Sequence, residues 1–333
     1  MSAPMLHLHH YPASPFSEKV RLMMGLKGLA WRSVLVPPVM PKPDLVALTG
    51  GYRRAPVLQT GADVWCDSAL ISRVLDALAP EPPLHRADRV AGEAVAAWAD
   101  RDLFAAAVAC VFRPEHLPVL FRGAPPEAIR AFVDDRAAMV ANDRTVYAGA
   151  SGLGRLPAPE ATGALVAGTA RIAAHLRDGR RFLVADEPTV CDLAAYHPLW
   201  FASRVPALDA LVRREPAVVD WMARVAALGH GAPERASAAE ALDAARAAAG
   251  ASSGILPDGP WVDFHGFEPG ERVCVTPLDY GLAPVEGELV VSTSDRIAVR
   301  RTDARAGTVT VHVPRTGFRM VRAAPGDAGV RAS

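Results

Sequence analysis

The feature that most constrains how this chain folds is a hydrophobic period that changes twice along its length. In about the first eighty residues, short alternating runs and short helical stretches take turns. From Arg86 to about Gly231 the period is helical almost throughout. Beyond Gly254 it becomes short β-branched runs divided by Gly, Pro and Asp. Met5–Tyr11 alternates like a half-buried strand, and Pro12–Pro15 breaks it. Helical spacing follows from about Phe16 through Val20, Met23, Met24 and Lys27, ending near Gly28. Trp31–Val36 reads as a second strand, and Pro41–Gly51 as irregular chain with one helical turn. Pro56–Gln59 and Val64–Cys66 read as two short strands around a turn at Thr60–Asp63. Asp67 and Ser68 open a helix towards Ala79 whose apolar face carries Leu70, Ile71, Val74, Leu75 and Leu78. A β-α-β-α-β-β-α front followed by a purely helical run predicts separate layers rather than one doubly wound sheet.

The helical middle has breaks at Pro114, Pro118, Gly123–Pro126, Ser151–Pro159 and Gly179. One more helix is expected over Ala232–Ala249, where Ser237 and Glu240 have capping-box spacing. Gly250–Gly254 has the composition of a linker. The runs Val273–Thr276, Glu288–Ser292, Ile297–Arg301, Thr308–Val313 and Phe318–Val321 are spaced as in a small all-β barrel or sandwich, and Ala323–Ser333 reads as a frayed end. The expected domains are therefore 1–82, 86–249 and 255–325, in keeping with a length of 333 residues.

Charge and cysteine usage narrow the function classes. Lys+Arg and Asp+Glu balance at 36 each, which gives no electrostatic reason to expect nucleic acid or an anionic membrane as partner. The first residues lack a basic flank followed by an apolar run, and no apolar stretch approaches the ~18–20 residues needed to cross a bilayer. Cys66, Cys110, Cys191 and Cys274 have neither disulfide-framework nor zinc-site spacing, so reduced cysteines and a cytoplasmic protein are expected. His7, His9 and His10 alternate along the first strand. Without further ligands in the pattern they read as half-buried strand histidines, and no metal is expected.

Three short stretches carry a resemblance. Ser14-Pro15-Phe16-Ser17-Glu18-Lys19-Val20-Arg21 is similar to the S-P-F-x-x-[KR]-V-R junction of serine-type glutathione transferases such as tau and, more loosely, zeta members. Ala55-Pro56-Val57-Leu58 followed by Asp67-Ser68-Ala69-Leu70-Ile71 resembles that superfamily's x-P-V-L and [ED]-S-x-x-I. Pro188-Thr189-Val190-Cys191-Asp192-Leu193 resembles its T-x-A-D capping motif, with Cys191 where Ala is usual. The resemblance covers roughly residues 5–230. It implies a thioredoxin-like α/β N-terminal domain and an all-α second domain, to which the β-rich C-terminal module is an addition.

The resemblance also implies a chemistry. Glutathione would be a co-substrate whose thiolate adds to a small electrophile, or supports isomerisation by reversible addition, and the protein would be a homodimer. Ser14 would donate a hydrogen bond to the sulfur anion, before a helix N-terminus that favours negative charge. Read alone, Ser14 is an N-cap; Ser17 and Tyr11 are reserve hydroxyls. Pro56 would follow a cis bond and expose the main chain of Val57 to the cysteinyl part of glutathione. Ser68 and the first helical amides would hold the γ-glutamyl carboxylate and Asp67 the ammonium group, although Asp67-Ser68 is by itself a good helix cap. Arg53, Arg54 or Lys42 would meet the glycyl carboxylate. Thr189 and Asp192 read as a capping box and thus as structural. Phe104, Val108 and Phe112 are the apolar candidates for an electrophile pocket.

A rival reading is a non-catalytic binding or scaffold protein acting through its C-terminal module. In it Val275–Gly281 and the basic Arg296, Arg300, Arg301 and Arg305 form either a docking face or a solvated barrel exterior.

Overall fold

Leu6–His10 forms strand β1, and all five of its residues are buried rather than every other one. That is what a central strand requires, because neighbours and packed layers cover both faces. The computed structural model describes residues 4–86, 89–141, 156–184, 186–248 and 250–323. The front continues with α1 (Pro15–Leu26), β2 (Ala30–Leu35), α2 (Pro43–Thr49), β3 (Val57–Thr60), β4 (Asp63–Cys66) and α3 (Ser68–Leu78). The helical middle follows as α4 (Arg89–Trp98), one turn of π-helix (Ala99–Leu103), α5 (Phe104–Val111), α6 (Leu117–Leu120), α7 (Pro126–Ala141), α8 (Ala158–Leu176), α9 (Val190–Ala202), α10 (Pro206–Val212) and α11 (Pro216–Ala226). The last part holds β5 (Ala232–Ala236), α12 (Ala238–Ala247), β6 (Arg272–Pro277), β7 (Val285–Ser292), β8 (Arg296–Asp303), β9 (Gly307–Pro314) and β10 (Phe318–Arg322). The expected break over 151–155 and the frayed end over 324–333 lie outside the described residues.

The chain divides into two compact units that do not follow the three sequential segments. One comprises Met1–His10, Arg32–Ile71 and Arg235–Ser333; the other comprises Tyr11–Trp31 and Ser72–Glu234. In the first unit the C-terminal strands do not close on themselves. They extend the N-terminal sheet, in the order β10-β6-β7-β8-β9-β4-β3-β1-β2-β5. The joint is a parallel pairing of β4 with β9, in the register Asp63↔Thr310, Val64↔Val311 and Trp65↔His312. The Thr310 amide also donates to the Ala62 carbonyl at 2.9 Å. A strand edge such as that of β4 presents unpaired main-chain groups, and β9 covers them. The sequence reading missed this because the alternation of Thr308–Val313 marks a strand without naming its partner.

Side chains reinforce the joint. Trp65 stacks on His312 with centroids 3.9 Å apart, and His312 Nε2 lies 2.9 Å from Asp63 Oδ1. The Ser253 amide donates to Asp63 Oδ2 at 2.5 Å, so the Gly/Ser-rich stretch is anchored rather than a free linker. Gly51 has φ 149°, and a Cβ there would lie 2.3 Å from the Pro284 carbonyl oxygen, so only glycine permits this approach. Arg301 donates to the Ala47 carbonyl at 2.5 Å, Arg305 pairs with Asp44, and Arg296 is buried and pairs with Asp258. Arg296 is thus buried and Arg301 half-buried against their own chain, while Arg305 and Arg300, which lies 3.8 Å from Glu288, are exposed, as a solvated exterior expects.

In the second unit α9 is the central helix, with α1, α4, α5 and α11 packed against it and α8 on α5. Its N-terminus carries the expected capping box. Asp192 Oδ2 accepts from the Thr189 amide at 3.0 Å, while Oδ1 accepts from the Leu183 amide at 2.8 Å and Trp221 Nε1 at 3.0 Å. The second box, at Ser237 and Glu240, caps α12. The helix expected from Ala232 starts only there, because residues 232–236 form β5.

Candidate functional site

In the first unit, the residues singled out for the γ-glutamyl and cysteinyl parts of a ligand meet at one end of a hairpin. Antiparallel register places Val57 of β3 opposite Cys66 of β4 and opposite His9 of β1. The residues just before β3 and just after β4 therefore lie side by side. Before β3 is the Ala55–Pro56 bond, which is cis as expected. After β4 is Asp67 at φ 78°, the one non-glycine residue with positive φ among the described residues. An L-residue there carries roughly 1–2 kcal/mol of strain, least for Asp and Asn. Such strain concentrates where a site imposes a conformation. Here it turns the chain abruptly into α3, whose first residue is the buried Ser68.

The main chain of Val57 is flanked by strands on both sides. Among the described residues, the main chain of Ala55 makes no hydrogen bond. Unpaired main chain is thus found at Ala55, two residues before Val57. Asp67 Oδ1 accepts from the Ala69 amide at 2.9 Å and the Asp67 carbonyl accepts from the Ile71 amide at 2.9 Å, so Asp67 also caps its own helix. Burial pushes the neighbouring Cys66 thiol well above the usual range, aided by the Asp67 charge, which makes it an inert core group.

The basic candidates separate. Arg54 is buried and donates to Asp279, at 3.2 Å through Nη1 and again through Nη2, and to the Tyr280 carbonyl. Its guanidinium lies 3.9 Å from the Tyr280 ring centroid. The carboxylate it meets in the folded chain is therefore Asp279 of its own chain. It also gives the half-buried Asp279 and Tyr280 a structural task. Lys42 is buried and donates to the Arg53 carbonyl at 3.0 Å, while Arg53 itself is half-buried.

The histidines His9 and His10 of β1 are likewise held within their own chain. His9 Nε2 donates to Gln59 Oε1 at 2.9 Å, and Gln59 Nε2 donates to the Ala241 carbonyl at 2.8 Å. Burial pushes His9 down to about 4, against the raising effect of the Gln59 hydrogen bond. Among the described residues no group of three or more His, Cys, Asp or Glu side chains is placed to hold a metal.

In the second unit, Ser14 is the N-cap of α1. It is buried, and its Oγ accepts from the Ser17 amide at 3.2 Å. Accepting that bond leaves the hydroxyl proton able to donate elsewhere. Ser17 Oγ is buried and has no hydrogen-bond partner among the described residues. The Phe16 ring packs against Phe104 at 4.7 Å and His197 at 4.6 Å, so Phe104 is core. Phe112 joins Phe132 and Phe201, at 5.5 and 5.6 Å, and Val108 is half-buried. The fully buried Lys19 donates to Asp100 Oδ2 at 2.6 Å, and His197 Nε2 lies 2.9 Å from Asp100 Oδ1. Burial alone would raise the Asp100 carboxyl; Lys19 and His197 outweigh it and hold it below the usual range. No sequence signal marks this network, because Lys19 and Asp100 are 81 residues apart and Asp100 lies in the π-turn.

Comparison with known proteins places the geometry. The family described as glutathione S-transferase, N-terminal domain, matches residues 8–83. The crystal structure of a GST-like protein from Pseudomonas syringae is 37% identical to this chain, covers 97% of it and 100% of its own length, and superposes with a TM-score of 0.75. The chain belongs to the glutathione S-transferase superfamily. Coverage of that extent takes in the C-terminal strands as well, so the β-rich addition is shared with that GST-like protein. A glutathione S-transferase from Rhodospirillum rubrum is 22% identical over 66% of this chain and 87% of its own, with a TM-score of 0.47. One from Methylobacillus flagellatus, solved with glutathione bound, is 20% identical over 69% and 100%, with a TM-score of 0.48. No curated protein matches the chain.

Proposed function

We propose that this glutathione-transferase-like protein binds glutathione and adds its thiolate to a small electrophile. The observation that carries the reading is the hairpin end, where the unpaired main chain of Ala55 lies beside the strained Asp67 and the start of α3. The main chain at Ala55 can pair with the cysteinyl part of an extended tripeptide. Ser68 and the first turn of α3, with its positive dipole end, suit the γ-glutamyl carboxylate, and Asp67 suits the ammonium group. Ser14, four residues beyond the end of β1, supplies the hydroxyl that donates to the sulfur anion. The thiol releases its proton to solvent, and the thiolate forms a carbon–sulfur bond while the electrophile's leaving group departs with its electron pair; an isomerisation by reversible addition uses the same first step. Arg53 remains the basic candidate for the glycyl carboxylate, and the assembly is a homodimer, which sedimentation of the full chain tests.

Turnover of a generic aryl halide, with Ser14→Ala beside the parent chain, tests the reading. The loss of one charge-directed donor should lower turnover roughly 10–1000-fold while glutathione affinity is kept. The burial of Ser14 and its use as a cap favour a second reading, a non-catalytic binding protein. Retention on immobilised glutathione without turnover selects that reading, and failure to be retained refutes both.

A further inference from the structure

Three successive carbonyls of the segment that leads into Ser14 face guanidinium groups. Arg21 Nη2 donates to the Pro12 carbonyl at 3.0 Å, and Nη1 reaches the Tyr11 carbonyl at 3.5 Å. Arg204 Nη1 donates to the Ala13 carbonyl at 3.3 Å. The turn is closed by the Ser14 amide, which donates to the Tyr11 carbonyl at 3.1 Å. Arg21 is buried on α1, where Glu18 grips it through Nε at 3.1 Å and Nη2 at 2.5 Å. The other Glu18 oxygen accepts from His230 Nε2 at 3.1 Å. Burial raises the Glu18 carboxyl, but His230 and Arg21 outweigh that effect and hold it below the usual range, so it stays an anion able to orient Arg21.

Stability alone accounts poorly for this arrangement. A buried ion pair is often no more stabilising than well-packed apolar side chains of the same volume. What the planar guanidinium adds is direction, since its donors lie in a fixed fork. The N-cap bond fixes where α1 begins; the carbonyl bonds fix how the chain arrives there. We propose that Arg21, oriented by Glu18 and His230, and Arg204 are positioning residues that hold the Tyr11–Ala13 main chain so that the Ser14 hydroxyl keeps its working direction. The inference rests on the reading of Ser14 given above.

The test uses the full chain with two variants of different risk. Arg204→Gln changes an exposed side chain, whereas Arg21→Lys keeps a buried charge and removes the fork. Displacement of a catalytic group by a fraction of an ångström to 1 Å costs up to about 100-fold. Arg204→Gln should therefore lower kcat by about 3–10-fold and Arg21→Lys by about 10–100-fold, with KM for glutathione held within about twofold. Arg204→Lys should recover most of the loss. In a Ser14→Ala background neither variant should cost anything further, because the group being positioned is gone. Equal losses in both backgrounds, or a raised KM at constant kcat, would overturn the proposal and leave the reading of Ser14 intact. Full activity in Ser14→Ala removes that reading, and the positioning role falls with it. If the parent chain has no turnover, the reading of Ser14 and the positioning role fall together; in an active chain Arg204→Gln should also speed amide exchange at Tyr11, Ala13 and Ser14 at least about tenfold relative to α8, and unchanged protection would overturn the proposal.

Discussion

Arg54→Ala separates what the sequence suggested from what the folded chain does. If Arg54 met the glycyl carboxylate of a ligand, truncation would weaken glutathione binding and leave the fold untouched. The structure has it clamp Asp279 and Tyr280 instead. The Asp279 side chain is 42% exposed, so solvent screens the pair and its charge-assisted bonds fall at the low end of ~1.5–3 kcal/mol. Stacking on Tyr280 adds ~0.5–1 kcal/mol. The expected loss is about 2–3 kcal/mol in the unfolding of the chain, followed by circular dichroism in denaturant. Glutathione affinity should stay within about twofold, because no ligand contact is removed. Asp279→Asn should cost part of the same energy, and the double variant should cost less than the sum. A tenfold loss of affinity with an unchanged denaturation midpoint would refute this account and restore Arg54 to the site.

Acidification should weaken the fold through His9. Its folded value of about 4 lies below the ordinary 6.5, so from pH 6.5 down to about 4 the unfolded chain binds more protons, and stability falls as pH falls, by up to about 3 kcal/mol. Denaturation at pH 7, 6 and 5 should show a shallower decline in His9→Gln than in the parent; parallel curves would remove His9 as the cause. Asp192→Ala should be severe, because it leaves the Leu183 amide, the Trp221 indole and the Thr189 amide without their acceptor at roughly 1–3 kcal/mol each. A change below about 1 kcal/mol in chemical denaturation would mean that those donors find other partners.

Elements whose signal is local were legible in the sequence. The β-α-β-α-β-β-α front, the helical run and both capping boxes depend on periodicity and on pairs three residues apart, and they lie where the sequence puts them. The hairpin end was legible because its residues adjoin turns: a proline before β3 and an Asp-Ser step after β4. Partnership across long separations was not legible. Nothing local tells Arg54 that Asp279 awaits it, or Glu18 that His230 does. The burial of His7, His9 and His10 was missed for a related reason, since alternation cannot distinguish a strand with one wet face from one covered on both. That Val57 is flanked by strands on both sides was not legible either, because a motif gives positions without saying which main-chain groups a neighbouring strand has already taken.

The joint between β4 and β9 also sets an order of events in the making of the protein. Asp63 and His312, which meet across it, are 249 residues apart in sequence. As a ribosome releases the chain from its N-terminus, the β3–β4 hairpin emerges well before the strand that completes its edge. For most of synthesis, then, β4 offers bare main-chain groups and the unstacked face of Trp65 to whatever lies nearby, including other nascent copies. Contacts of such long range are slow to form, because loop closure precedes the reward. A chain halted before Gly307 would carry a nearly complete front half with its most adhesive strand uncovered, so β9 protects the β3–β4 hairpin from its own kind.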